Sequence, residues 1–174
     1  MPDLTTLYTA THLELRRRGR WEFVHRRTAA QVVALVATTP EDEVLLITQH
    51  RLPVDAEVVE LPAGLVGDEG NADEDPLLAA ARELVEETGW EPSRCRVPVR
   101  GPSSAGLADE IVTLVRAEGL VRRGPGGGIE GENITVHAVP RADCARWLAD
   151  AAAAGRLIDH KVHAALWWLS QESS

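Results

Sequence analysis

Cysteine is nearly absent from this chain of 174 residues: Cys95 and Cys144 are the two present, and they form no CxxC pair. That excludes a disulfide framework and a structural zinc site, and both thiols read as ordinary reduced residues. Long apolar runs are missing too, since no stretch approaches the roughly 20 residues of a membrane-spanning helix. The first residues, MPDLTTLYTATHLELRRRGRW, contain no apolar signal stretch, so the expected location is cytoplasmic with no membrane partner. No internal repeat is visible, and low complexity is confined to the alanines at 151–154 and the GPGGG run at 124–128. A dominant positive charge is also lacking. The formal net charge of −9 speaks against nucleic acid as a partner, because phosphate backbones demand a basic face.

What remains is a globular composition, 44% apolar and 26% charged, of a length suited to one domain with a small appendage. Charge is unevenly placed. Residues 41–91 hold fifteen Asp or Glu against Arg51 and Arg82, whereas residues 14–27 hold six arginines against Glu14 and Glu22. The acidic block suits a pocket that loads a divalent cation. Runs rich in Val, Ile and Leu predict strands at 31–38, 43–49, 57–61, 95–99, 111–117 and 134–139, and helical spacing appears at 76–88, 141–154 and 158–171. Their irregular alternation predicts an α/β fold, a mixed sheet between helices. Residues 1–30 read as a separate small strand layer and 31–174 as the main domain.

The helix at 76–88 has clear ends: Asp75 as cap, Pro76 at the first position and Gly89 as a left-handed stop. On a helical projection Leu77, Ala81, Leu84 and Thr88 share one side, and Glu83, Glu86 and Glu87 crowd roughly opposite. Three like charges repel unless something neutralises them. Arg82 stands beside them to brace a carboxylate, and hard oxygen donors at this spacing suit Mg²⁺, with Mn²⁺ as an alternative.

These residues carry a resemblance. Glu60-Leu61-Pro62-Ala63-Gly64, followed by Arg82-Glu83-Leu84-Val85-Glu86-Glu87-Thr88-Gly89-Trp90, resembles the Nudix box, whose core R-E-U-x-E-E-x-G-U is matched at each specified position. A WE…R element at Trp21, Glu22 and Arg26, a Q-x-R at Gln49 and Arg51, and SAGLADE from Ser104 to Glu110 are similar to the ADP-ribose and nucleotide-sugar pyrophosphatase branch. The stretch between Gly64 and Arg82 is longer than the family's usual spacing.

The resemblance implies an α/β/α sandwich and Mg²⁺-dependent hydrolysis of the diphosphate linkage in ADP-ribose or a related nucleotide sugar. It implies Glu83 and Glu87 as metal ligands, with Glu86 shared and the Ala63 carbonyl added, and Arg82 orienting a carboxylate. The water-activating base falls in GPGGGIEGEN, at Glu132 or at Glu130. Arg26 and Arg51 would grip phosphates, with Glu22, Ser104 and Glu110 beside the substrate. Trp21 either stacks a nucleobase or belongs to the core. Trp90, Trp147, Trp167 and Trp168 read as packing residues. Related enzymes exchange the amino-terminal segment between subunits, which implies a homodimer. GDP-mannose or a dinucleoside polyphosphate as substrate, and a non-catalytic ADP-ribose sensor, are the alternatives. The box glutamates that sensors tend to lose are all retained.

Overall fold

Strand β4 (Gln31–Ala37) is the best place to enter the architecture, because its run VVALVA is apolar at every position rather than at alternate ones. Such a strand needs cover on both faces. In the computed structural model, which describes residues 3–27, 31–67, 73–128 and 133–172, it has that cover. Val33, Leu35 and Ala37 pack with Ala79, Ala80 and Leu84 of helix α1 (Pro76–Thr88). Ala34 and Val36, which point the other way, pack with Leu148 of α2 (Cys144–Ala153) and Val162, Ala165 and Leu169 of α3 (His160–Gln171). The layers are thus helix, sheets, helices.

Two four-stranded sheets lie between the helices. The first has the order β7 (Ala63–Val66), β4, β10 (Ile111–Glu118), β9 (Arg94–Pro102), and only the β4/β10 pair is parallel. The second runs β12 (Thr135–Pro140), β5 (Glu43–Arg51), β6 (Ala56–Glu60), β13 (Leu157–Ile158), with β6/β13 parallel. A two-residue pair, β8 (Trp90–Glu91) with β11 (Val121–Arg122), follows α1. The predicted strands are all found within a few residues. The helix expected at 141–154 opens instead with a 3₁₀ turn at Arg141–Asp143, a usual way for an α-helix to begin. The short strands β7, β8, β11 and β13 were not anticipated, since two to four residues carry too little periodicity to read.

The amino-terminal residues form an antiparallel sheet of β1 (Leu4–Thr9), β2 (Leu13–Arg18) and β3 (Trp21–Arg26). Among the described residues, neither core cluster includes a side chain from it. It is attached through β3: Val24 N–H donates to Leu107 O at 2.8 Å, Asp109 N–H donates to Val24 O at 3.3 Å, and His25 Nδ1 lies 2.9 Å from Asp109 Oδ2. No helix among the described residues is long and apolar enough to cross a membrane.

Candidate active site

Helix α1 starts and stops where its residues dictate. Asp75 accepts the Leu77 N–H at 2.8 Å, Pro76 needs no donor at the first position, and Gly89 ends the helix at φ 74°. The three glutamates are divided by the packing. Glu83 (8% exposed) and Glu87 (5% exposed) belong to the buried side together with Ala79, Ala80, Leu84 and Thr88. This corrects the helical projection, which set the carboxylates opposite Leu84. Both open into a cavity of about 420 Å³, whereas Glu86 is more exposed and meets the Arg82 Nη1 at 3.2 Å.

The strand bearing Ala63 and Gly64 makes room for these carboxylates. Ala63 N–H donates to Glu87 Oε2 at 2.9 Å. A Cβ on Gly64 would fall inside the Glu83 carboxyl group, so only glycine lets that side chain lie across the strand. Arg82 sits among Glu83 (3.1 Å), Glu86 and Glu74 (3.5 Å). Desolvation works against its charge, yet the carboxylates of Glu83, Glu86 and Glu74 hold its pKa above the ordinary arginine value. Arg82 therefore fixes carboxylates, and it is not on the cavity wall. Glu74 also accepts the Gly67 N–H at 2.9 Å, joining the end of β7 to α1 across the lengthened span.

Arg26, Gln49, Arg51, Glu60, Glu110 and Lys161 complete the polar lining. Arg26 donates to Glu110 at 3.0 Å and Arg51 Nε to Glu60 at 2.8 Å. Arg26, Arg51 and Glu110 of the expected substrate residues are thus gathered at one cavity with Ala63, Glu83 and Glu87. Glu22 and Ser104 do not line it, and Ser104 serves as the carbonyl acceptor of a turn from Leu107 and Ala108. Trp21 is 59% exposed on β3. It is not a core residue of this chain, and it does not line the cavity.

Glu130 and Glu132 lie outside the described residues. The segment before them is fastened to the carboxyl end of α1, where Gly127 N–H donates to Glu87 O at 2.7 Å and Gly128 N–H to Glu86 O at 3.1 Å. Of the remaining tryptophans, Trp147 packs against His137, Trp90 under Arg122 and Trp168 under Arg96. Trp167 does not fulfil its expected packing role, being 65% exposed on the outer side of α3. Burial pushes the Cys95 and Cys144 thiols up, so neither supplies a thiolate at neutral pH. Sequence reasoning missed Lys161, and overlooked Glu60 as a lining residue. Lys161 is the chain's single lysine, and it has no spacing relation to the box that could have drawn it in.

The donor set fits a hard divalent cation. Two buried carboxylates and the neighbouring Ala63 carbonyl are all oxygen donors, and Mg²⁺ is usually held by one or two carboxylates with waters and substrate phosphates filling the rest. Among the described residues no three His, Cys, Asp or Glu side chains converge on a point that could hold a metal ion.

A family model described as the NUDIX domain matches residues 27–118, and the chain belongs to this family. Enzymes of this family generally use divalent metal ions. The chain is 38% identical over 98 residues to the methanol dehydrogenase activator of Bacillus methanolicus, covering 56% of this chain and 51% of that protein. It is 39% identical over 88 residues to the ADP-ribose pyrophosphatase of Bacillus subtilis, covering 51% and 45%. The chain spans about half the length of these curated relatives. A crystal structure of an ADP compounds hydrolase matches with a TM-score of 0.65 at 17% identity, over 83% of this chain and 80% of that one, and shares the fold.

Proposed function

We propose that this chain hydrolyses the diphosphate linkage of ADP-ribose or a related nucleotide sugar, releasing a nucleoside monophosphate and a sugar phosphate. The observation that carries this reading is a single cavity lined by two buried carboxylates, Glu83 and Glu87, together with two arginines, Arg26 and Arg51. Acids of that kind serve a metal and arginines serve phosphate oxygens. The similarity to an ADP-ribose pyrophosphatase supports the substrate class.

Glu83 and Glu87, with the Ala63 carbonyl, would hold Mg²⁺, for which Mn²⁺ could substitute. Bound there, the cation would screen the diphosphate oxygens and acidify a water. Arg82 keeps the carboxylates in place, and Glu86 is the remaining box carboxylate within reach of that arrangement. Arg26 and Arg51 orient the diphosphate. Glu132, with Glu130 as the alternative, takes the proton of the attacking water. The water oxygen bonds to one phosphorus, the bridging P–O bond breaks, and its electron pair leaves with the second phosphate.

The assembly reading is a homodimer formed by exchange of the amino-terminal sheet. The exposure of Leu4, Tyr8, Leu13 and Trp21 on that sheet supports it, since a partner would cover them. Trp21 and Glu22 then act toward the substrate from across the two-fold axis, and Ser104, in the main domain, stays a substrate-binding residue of this reading. Free Cys95 and Cys144 suit a reducing cytoplasm, and the net charge of −9 disfavours nucleic acid as a partner. Incubation with ADP-ribose and Mg²⁺, with products identified by mass, tests the activity. AMP and ribose 5-phosphate are expected from ADP-ribose, and the absence of hydrolysis of ADP-ribose and of a panel of nucleotide sugars, with Mg²⁺ and with Mn²⁺, removes the reading.

A further inference from the structure

Beside the catalytic cavity lies a larger one of about 710 Å³. Four residues, Arg51, Glu60, Val112 and Lys161, line both, so the two meet at a common throat. The walls differ in chemistry. Beyond the throat the surface is mainly apolar, including Val54, Val58, Val99, Leu114 and Leu157, and three of these remain substantially open: Val54 at 55%, Val99 at 45% and Leu157 at 48%. Concave apolar surface with a few convergent polar groups is the usual form of a small-molecule site.

We propose that Lys161 binds a phosphate of the substrate at this throat, and that the apolar cavity beyond it receives the nucleoside half. The proposal rests on the diphosphate hydrolysis put forward above and adds a residue and a direction to it: phosphates at the throat, reacting phosphorus toward Glu83 and Glu87, nucleoside away from them. Lys161 stands at the second position of α3, where its ammonium pairs with Asp159, the residue that caps the helix by accepting the Lys161 N–H at 2.7 Å. An ammonium has three donors, so that pairing leaves capacity for phosphate oxygens. Arg51 is arranged alike, its Nε held by Glu60 at 2.8 Å. A cation tethered by a short acid keeps its position before substrate arrives, which lowers the ordering cost of binding. The acidic block supplies carboxylates along α1, and a dianionic linkage beside them needs counter-charge on the opposite flank. The size and apolar lining of the outer cavity suit a base and ribose better than a second phosphorylated sugar.

Because Lys161 is the only lysine, amine acylation of the folded wild-type protein reports on one side chain, with the α-amino group as internal reference. With ADP present and metal removed by EDTA, mass analysis is expected to show Lys161 acylated several-fold more slowly relative to the α-amino group. An unchanged ratio overturns the phosphate contact, whatever the enzyme turns over. In ADP-ribose hydrolysis, Lys161→Met is expected to raise KM at least ten-fold with kcat within a few-fold, and Lys161→Arg to recover part of the loss. Asp159→Asn breaks the same ion pair while preserving the cap, and is expected to raise KM clearly less than Lys161→Met does, because the tether is lost and the ammonium is kept. If it matches Lys161→Met, Lys161 acts through the helix end and the proposal falls. Ala164→Trp, at an exposed position on the outer cavity wall, is expected to raise KM for ADP-ribose. An unchanged KM, or a change in self-association in its place, takes the nucleoside out of that cavity. A wild-type protein inactive on ADP-ribose and on nucleotide sugars but showing ADP protection would remove the hydrolysis reading and leave the Lys161 contact standing.

Discussion

Glu83 and Glu87 carry the residue-scale argument because burial makes their charge costly unless something positive meets it. Glu83→Gln or Glu87→Gln is expected to lower kcat by on the order of 10² or more with the fold retained, since each would remove a charged oxygen donor from the proposed metal site. Circular dichroism with steady-state kinetics at saturating Mg²⁺ checks this, and near-normal turnover would release the helix from the mechanism. Gly64→Ala gives a sharper version. Its Cβ would displace the Glu83 carboxyl group, which is the flexible end of a side chain and the nearest group it would meet. Loss of turnover with a nearly unchanged melting temperature is therefore expected, and a large melting shift would mean that the strand itself had moved. Glu132→Gln is expected to reduce kcat while leaving KM within a few-fold, because a water-activating base acts in the transition state. If Glu130→Gln is the crippled variant, the two exchange roles.

At the scale of elements, the glycine run and α1 behave as one unit. Gly126 has φ 71°, and a Cβ there would come within 2.6 Å of the Glu87 carbonyl oxygen and the Thr88 Cα. Gly126→Ala therefore combines a left-handed penalty of about 1–2 kcal/mol with a backbone collision. It is expected to lower the melting temperature and also kcat, since the same clamp directly precedes Glu130 and Glu132 in the chain. A second element-scale expectation concerns the β5/β12 pair, where the His137 Nε2 lies 2.9 Å from the Thr48 Oγ1. Burial, then the nearby charge of Arg156, holds the His137 pKa below the ordinary value. Above about pH 6.5 both states are neutral at this ring; below it the unfolded chain takes up a proton that the folded chain resists, so stability falls with pH. The decline in melting temperature between about pH 7 and about pH 5 is expected to be shallower in His137→Gln. An identical slope would assign the decline to other groups.

At the scale of the whole molecule, the proposed homodimer sets how many chains complete the site. The amino-terminal sheet contributes Arg26 to the cavity through β3, while Trp21 at the other end of that strand faces solvent. A homodimer that covers the sheet is expected by sedimentation at micromolar concentration, together with a rise in KM larger than any fall in kcat for Trp21→Ala. An active species of 18.9 kDa would exclude the exchange, and an unchanged KM would take Trp21 away from the base.

Local chemistry was enough to place helix α1, its caps, the apolar strand runs and the box that identifies the family, because caps, periodicity and motif spacing act over a few residues. The division of labour among the three glutamates was not so determined. It depends on which side of α1 meets β4 and β7, and on Gly64 leaving space for one carboxylate, both contacts between distant parts of the chain. Lys161 shows the same limit more plainly. It is 101 positions from Glu60 in sequence and reaches the same throat only because β13 pairs in parallel with β6 and turns directly into α3. Periodicity reports which face of an element is buried; the crossing of sheets and helices decides which buried and half-buried groups meet, and the cavity exists only where they do.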